Sequence, residues 1–262
     1  MADLSEVYKV TVGDRWRLVV GAGWSRRWVA TWRSAGSEVV CPVSDLAAGQ
    51  LAGREPVRRF AWQTRQRHRP GLQYLVSTGR HHGFESLAEQ RFLLALDFVG
   101  GLVDVLAQPF ELRYCTTGGV RRHVPDFLAV ARVGVWLVDV RPGGRIRDDD
   151  RMAFAAAGEA ALACGWRYLV VPGWRPGVMA ALDAVSAQRR PLDDRFGLQA
   201  QLLDAVATGG VPFGDLVAAT SLPVVARAHA LHLIWHRRLG IDLSRPLTDA
   251  TLVRRAAATV DS

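Results

Sequence analysis

Lysine is all but missing from this chain of 262 residues: of its 33 Lys+Arg, Lys9 is the single lysine. Any task that needs a cation falls to guanidinium, which stays protonated and cannot act as a base. Cysteine is equally sparse. Cys41, Cys115 and Cys164 are odd in number, far apart and form no CxxC pair. That argues against a disulfide framework or a cysteine zinc site and fits a reducing compartment. No uninterrupted apolar run reaches the roughly 18 residues that a membrane span needs, so no membrane partner is expected. The opening MADLSEVYKV has neither the charged nor the apolar region of a signal peptide. The expected location is the cytoplasm. No P-loop, no GxGxxG fingerprint and no Ser-His-Asp order stands out. Internal repeats and low-complexity tracts are absent too.

What is present is apolar and basic. Hydrophobic residues make up 49% of the chain, ample for a packed core. The length allows one large domain or two to three small ones. The net charge of +8 is uneven: residues 1–80 hold 13 Lys+Arg against 6 Asp+Glu, residues 81–195 hold 14 of each, and residues 196–262 hold 6 against 5. The excess runs through Arg54, Arg58, Arg59, Arg65, Arg67, Arg69 and Arg80, with Phe60 and Trp62 interleaved. A polyanion such as DNA is the natural partner for such a run. The plainer alternative is a solvated face.

Turn signals divide the chain into a β-rich region over 1–55, a core over 56–190 and a separate segment over 196–262. The first holds four expected strands, YKVTV, RWRLVV, RRWVATW and EVVCP, each bounded by Gly, Asp or Ser. In the core, FESLAEQRFLLALDF (84–98) reads as a helix with an apolar stripe on Ala88, Phe92, Ala95, Leu96 and Val99. QPFELRYC (108–115) reads as a strand. A hairpin follows, then a helix over about 149–164 with Asp148, Asp149 and Asp150 at its start, and the strand RYLVV (167–171). Helix, three antiparallel strands, helix, strand is a compact α/β core. In the last segment, helices over 196–207, 212–220 and 224–240 precede a two-stranded wing over 241–253. That is the winged-helix order.

The hairpin carries the chemistry. HVPDFLAVARVGVWLVDVR reads as two strands around a turn at about Arg132 to Gly134, which sets Asp126 opposite Asp139. Directly paired side chains have Cβ atoms roughly 5 Å apart, and alternation puts Arg141 on the face of Asp139. Two carboxylates and a cation at one sheet edge suit hard divalent metals and phosphodiester hydrolysis, with Mg²⁺ (or Mn²⁺) as the expected cofactor. The Val140 carbonyl is a further candidate ligand. On the preceding helix Glu85 and Glu89 are four apart and share a face. Either is a candidate metal ligand; the alternative is a solvated first-turn acid. His81 and His82 are candidates for phosphate or metal contact, and His123 stands three residues from Asp126. His229, His232 and His236 share one helical face, but no acid accompanies them, so packing or DNA backbone contact outweighs a zinc site.

FESLAEQRFLLALDF, QPF, VPDF and VDVRP, taken together, resemble the TnsA-like endonuclease subunit of heteromeric transposases, particularly the actinobacterial type. The resemblance covers roughly residues 56–171, and LHLIWHRRLGIDLSRPL extends it weakly. It implies a restriction-endonuclease-like PD-(D/E)xK core (αβββαβ) and cleavage of DNA at transposon 5′ ends. The implied partners are an integrase-type transposase and an ATPase regulator. It assigns the helix glutamate to Glu89, the PD aspartate to Asp126 and the last motif to Asp139 and Arg141. The chain departs from the pattern at Arg141, where the family has lysine, and Arg differs from Lys in shape, hydration and donor geometry. Two alternatives stay open: an inactive DNA-binding adaptor in which Arg141 neutralises the acids, and a stand-alone defence or repair nuclease.

Overall fold

Near-continuous apolar runs in FLAVA and GVWLVDV build the hairpin around which the first unit is organised. The computed structural model describes residues 3–48, 53–57 and 70–257. The chain divides into two units, Met1–Gly173 and Trp174–Ser262.

The first unit opens with two helical turns, α1 (Val12–Arg15) and α2 (Trp24–Arg27), and a hairpin of β1 (Val29–Ser34) and β2 (Ser37–Pro42). β3 (Arg54–Glu55) pairs with β1, and β4 (Gly71–Leu75) pairs with β5 (Arg80–Phe84). Then follow α3 (Leu87–Val99), β6 (Leu102–Ala107), β7 (Glu111–Thr116), β8 (Gly119–His123), β9 (Phe127–Ala131), β10 (Gly134–Val140), α4 (Asp148–Ala163) and β11 (Arg167–Val171).

Four of these strands form a mixed sheet in the order β11-β10-β9-β6. β6, β9 and β10 run antiparallel, while β11 is parallel to β10. Phe127 stacks on Phe92 of α3 at 5.2 Å. Its neighbour Leu128 points the other way and joins the buried cluster of Leu137 with Met152, Ala155 and Ala156 of α4. The two helices therefore cover opposite faces of the sheet. Phe92 and Phe127 are 1% and 0% exposed, so truncating either to alanine costs about 3–5 kcal/mol. A second sheet, β2-β1-β7-β8, adds Trp28, Ala30, Leu112 and Tyr114 to the same cluster. The alanines of α4 are small enough for both sheets to pack against it.

Three strand expectations change. The core sheet takes β6, not the 108–115 strand; that segment becomes β7 and joins the other sheet. Gly100 and Gly101 have φ of 77° and 69° and end α3 before β6. Gln108 takes the same left-handed conformation, φ 48°, where the chain leaves one sheet for the other. YKVTV and RWRLVV contribute only the isolated bridges Tyr8↔Val170 and Leu18↔Thr116. Between them Asp14 accepts the Thr11 N–H at 2.6 Å and starts a helical turn.

The second unit contains α5 (Val178–Ser186), α6 (Leu198–Ala205), β12 (Val211–Pro212), α7 (Phe213–Ala218), α8 (Pro223–Trp235), β13 (Leu239–Gly240) and β14 (Leu252–Arg255). Its three-stranded sheet runs β12-β14-β13. Leu198, Leu202, Phe213, Leu216, Ala226, Ala230, Leu233 and Val253 are buried. α5, which the sequence divisions attach to the core, packs against α8. Among the described residues, no helix is long and apolar enough to cross a membrane.

Candidate active site

β9 and β10 pair in the register Gly134↔Ala131 through Val138↔Phe127. One step further sets Asp139 opposite Asp126, as the hairpin pattern requires. Asp126 stands at the bend immediately before β9. Its Oδ2 accepts the Val140 N–H at 2.6 Å across the hairpin. Its Oδ1 makes no hydrogen bond to any described residue, and the residue is half-buried.

Asp139 is 2% exposed. Its Oδ1 meets His123 Nε2 at 2.9 Å, and its Oδ2 accepts the Tyr168 hydroxyl at 2.5 Å. Burial first, then the Asp139 carboxylate, pushes the Tyr168 phenol far above its ordinary range, so it stays protonated and donates. Tyr168 sits against Gly158 of α4, where an added Cβ would lie 3.3 Å from Cδ1 of the ring.

Asp126 is held well above the usual carboxylate range. Burial is the largest cause, followed by the Asp139 and Glu89 carboxylates; the Val140 N–H pulls the other way, and Glu85 adds a smaller upward push. Three other acids, Asp139, Glu89 and Glu85, therefore act on the Asp126 carboxyl group.

The acids are not equivalent in contact. Glu89 is buried and turned onto the start of α3. Its Oε2 accepts the Glu85 N–H at 2.8 Å, its Oε1 accepts the Ser86 hydroxyl at 2.7 Å, and its own N–H donates to Ser86 Oγ at 3.2 Å. This is helix capping that also projects charge towards Asp126. Glu85 is half-buried.

Arg141 departs from the expected place. Its guanidinium pairs with Asp150 at 3.3 Å with 44% of the side chain exposed, so it neither fills the pocket nor neutralises Asp139. Asp150 in turn accepts the Arg147 N–H at 2.9 Å and caps α4, the role expected of the acidic triplet.

The expected DNA contacts divide. Arg58, Arg59, Arg65, Arg67 and Arg69 lie outside the described residues. His81 is exposed on β5, its ring 5.3 Å from that of Tyr74. His82 is a correction: it is buried, with Nδ1 on the Val105 carbonyl at 2.8 Å and Nε2 on Thr78 Oγ1 at 2.7 Å. Both ring nitrogens are spent inside the protein, and burial lowers its tendency to charge. Tyr168 escaped sequence reasoning altogether. It is 29 residues beyond Asp139 with a whole helix between, and no spacing rule links them; only the parallel register Leu137↔Tyr168 does.

The donor set is hard and oxygen-rich. Among the described residues, no three His, Cys, Asp or Glu side chains form a metal-holding group. Magnesium does not require one: it is commonly held by one or two carboxylates and keeps several waters. Asp126, with one uncommitted oxygen, and Asp139, with a second lone pair on each oxygen, fit that looser mode.

No protein-family model and no curated protein matches the chain.

Proposed function

We propose that the chain is a metal-dependent DNA endonuclease with a restriction-endonuclease-like core, acting as the TnsA-like subunit of a heteromeric transposase. The order α3, β6, β9, β10, α4, β11, with the last strand parallel, supports the αβββαβ reading. The observation that carries the proposal is the charge at Asp126. Its carboxyl is raised by burial and by Asp139 and Glu89, while Arg141 is turned aside to Asp150. A cluster with acid in excess is matched by a cation. In the second unit, helix, strand, two helices and two strands in the sheet order β12-β14-β13 support a winged-helix-like domain.

Asp126 and Asp139 would hold Mg²⁺ or Mn²⁺. Bound there, the ion supplies an activated water and neutralises charge on the leaving oxygen of a phosphodiester. Tyr168 and His123 fix the orientation of Asp139. Glu89 keeps the field at Asp126 negative. Exposed Arg121 and Arg122 on β8 precede the VPD segment and give a DNA backbone a place to lie.

The test is Mg²⁺- or Mn²⁺-dependent nicking of duplexes carrying element ends, with and without an integrase-type partner. Wild type should nick, whereas D126A and D139A should not. Cleavage that survives in both variants would refute the site.

A second reading, a DNA-binding adaptor without turnover, draws on one observation: both Asp139 oxygens already carry hydrogen bonds. It expects DNA binding that is indifferent to Mg²⁺, and a carboxylate-dependent Mg²⁺ heat signal would exclude it.

A further inference from the structure

The arginines of the second unit are segregated. Residues 196–262 hold 6 Lys+Arg and 5 Asp+Glu, yet Arg237, Arg238, Arg254 and Arg255 all fall on or beside the β13–β14 ribbon. All four are exposed. Arg237 takes φ 55°, the left-handed turn that usually ends a helix on glycine. Its neighbour's N–H returns to the Leu233 carbonyl at 2.9 Å, which closes α8 and directs Arg238 into the ribbon. Leu239 pairs with Arg255 and Gly240 with Arg254, and the Arg238 carbonyl accepts the Ala256 N–H at 3.1 Å. Arg254 and Arg255 are consecutive in β14 and stand on opposite faces of the ribbon, and Arg238 enters at its end, so these cations flank the ribbon on both sides. None of these three forms an ion pair with a described residue. The nearby acids are engaged elsewhere: Asp249 with Arg227 at 2.8 Å, and Asp242 with the Ser244 hydroxyl and N–H at 2.6 and 2.9 Å.

We infer that this ribbon is a phosphate-backbone contact for duplex DNA, separate from the acidic pocket and independent of it. Protein-binding patches are depleted of charge at their centres; this ribbon carries exposed charge on both faces. By contrast, the start of α8 exposes Leu222, Pro223, Val224 and Val225, with Val224 91% exposed. Base edges are read through hydrogen bonds and close apolar fits from such a position. Four apolar residues supply no donors or acceptors for that task. The contact therefore positions DNA without selecting its sequence.

The test is equilibrium binding of the full chain to a random-sequence duplex in EDTA over a salt series. R238Q/R254Q/R255Q should bind at least about tenfold more weakly at 0.1 M salt. Its log–log salt slope should be shallower by about 0.9 per lost contact. The loss should be the same on element ends and random DNA. R238K/R254K/R255K should keep the slope. A charge-matched control in the first unit, R17Q/R26Q/R27Q, should change affinity by less than about threefold. A wild-type slope in the glutamine variant, or an equal loss in the control, would overturn the inference. So would unchanged DNA binding with loss of the integrase-type partner. Nicking by the wild type is scored separately through Asp126, so either conclusion can fail alone.

Discussion

The Asp126–Asp139 pair of the first unit and the His229, His232 and His236 row of the second begin as the same kind of signal, ligand-type side chains at metal-compatible spacing. Their surroundings end differently. His232 Nδ1 meets the Gln188 carbonyl at 2.9 Å, His236 Nε2 meets the Arg189 carbonyl at 3.2 Å, and buried His229 meets Gln199 at 3.4 Å. The row ties a loop to a helix. Asp126 keeps one oxygen uncommitted beside other carboxylates. Spacing nominates a ligand, but the charge gathered around it decides whether a cation is drawn there.

The largest expected effect comes from removing the charge that separates the two clusters. D126N should lower metal-dependent nicking at least about 100-fold, the scale of losing one charge-stabilising group. The same change should stabilise the apo fold at neutral pH. Asp126 has a folded pKa above its unfolded one, so between those values the native state binds more protons than the unfolded state. The contribution of Asp126 to wild-type stability therefore falls as pH rises from about 4 through the folded value. D126N should flatten that part of the curve in pH-dependent thermal melts, and an unflattened curve would place Asp126 in an ordinary carboxylate setting.

Y168F comes next. It leaves buried Asp139 Oδ2 without its donor, which costs about 1–3 kcal/mol in urea unfolding. Loss of that orienting contact should weaken metal affinity about 10–100-fold by calorimetry. An unchanged affinity would make Tyr168 a packing residue only.

H232A and H236A sharpen the contrast from the other side. Each should cost about 1 kcal/mol for one hydrogen bond, while zinc or EDTA should not shift the melting temperature of the wild type. A zinc-induced rise would return the row to the metal ligands.

R141Q should have the smallest effect. Its partly exposed pair with Asp150 is worth about 0–1 kcal/mol, and nicking should stay within about threefold. A loss as large as that of D126N would mean that Arg141 enters the pocket when DNA binds.

Much of the frame was legible because it is local. The turn at Arg132 to Gly134 between two apolar runs set the register that opposes Asp126 and Asp139. The acidic start and Gly165 bracketed α4. The apolar periods of residues 196–240 located α6, α7 and α8. Less was legible where a choice depended on distant partners. LVDVLA drew no strand expectation, and QPFELRYC took its place in the expected sheet; burial against Trp28 and α4 sent β7 to the other sheet. Glu89 could be placed on the right helix, but its capping bonds to Glu85 and Ser86 followed from the turn out of β5.

By itself, the sequence determined the strand pairing at the hairpin, the helix that follows it and the excess of acid at its end. These depend on side-chain alternation and turn chemistry within about twenty residues. Only the tertiary structure decided that Tyr168 and His123 hold Asp139, that Arg141 faces Asp150, and that the histidine row binds carbonyls. None of those contacts follows from a repeat period or a turn rule, and which polar groups meet is settled when burial forces each one to find a partner.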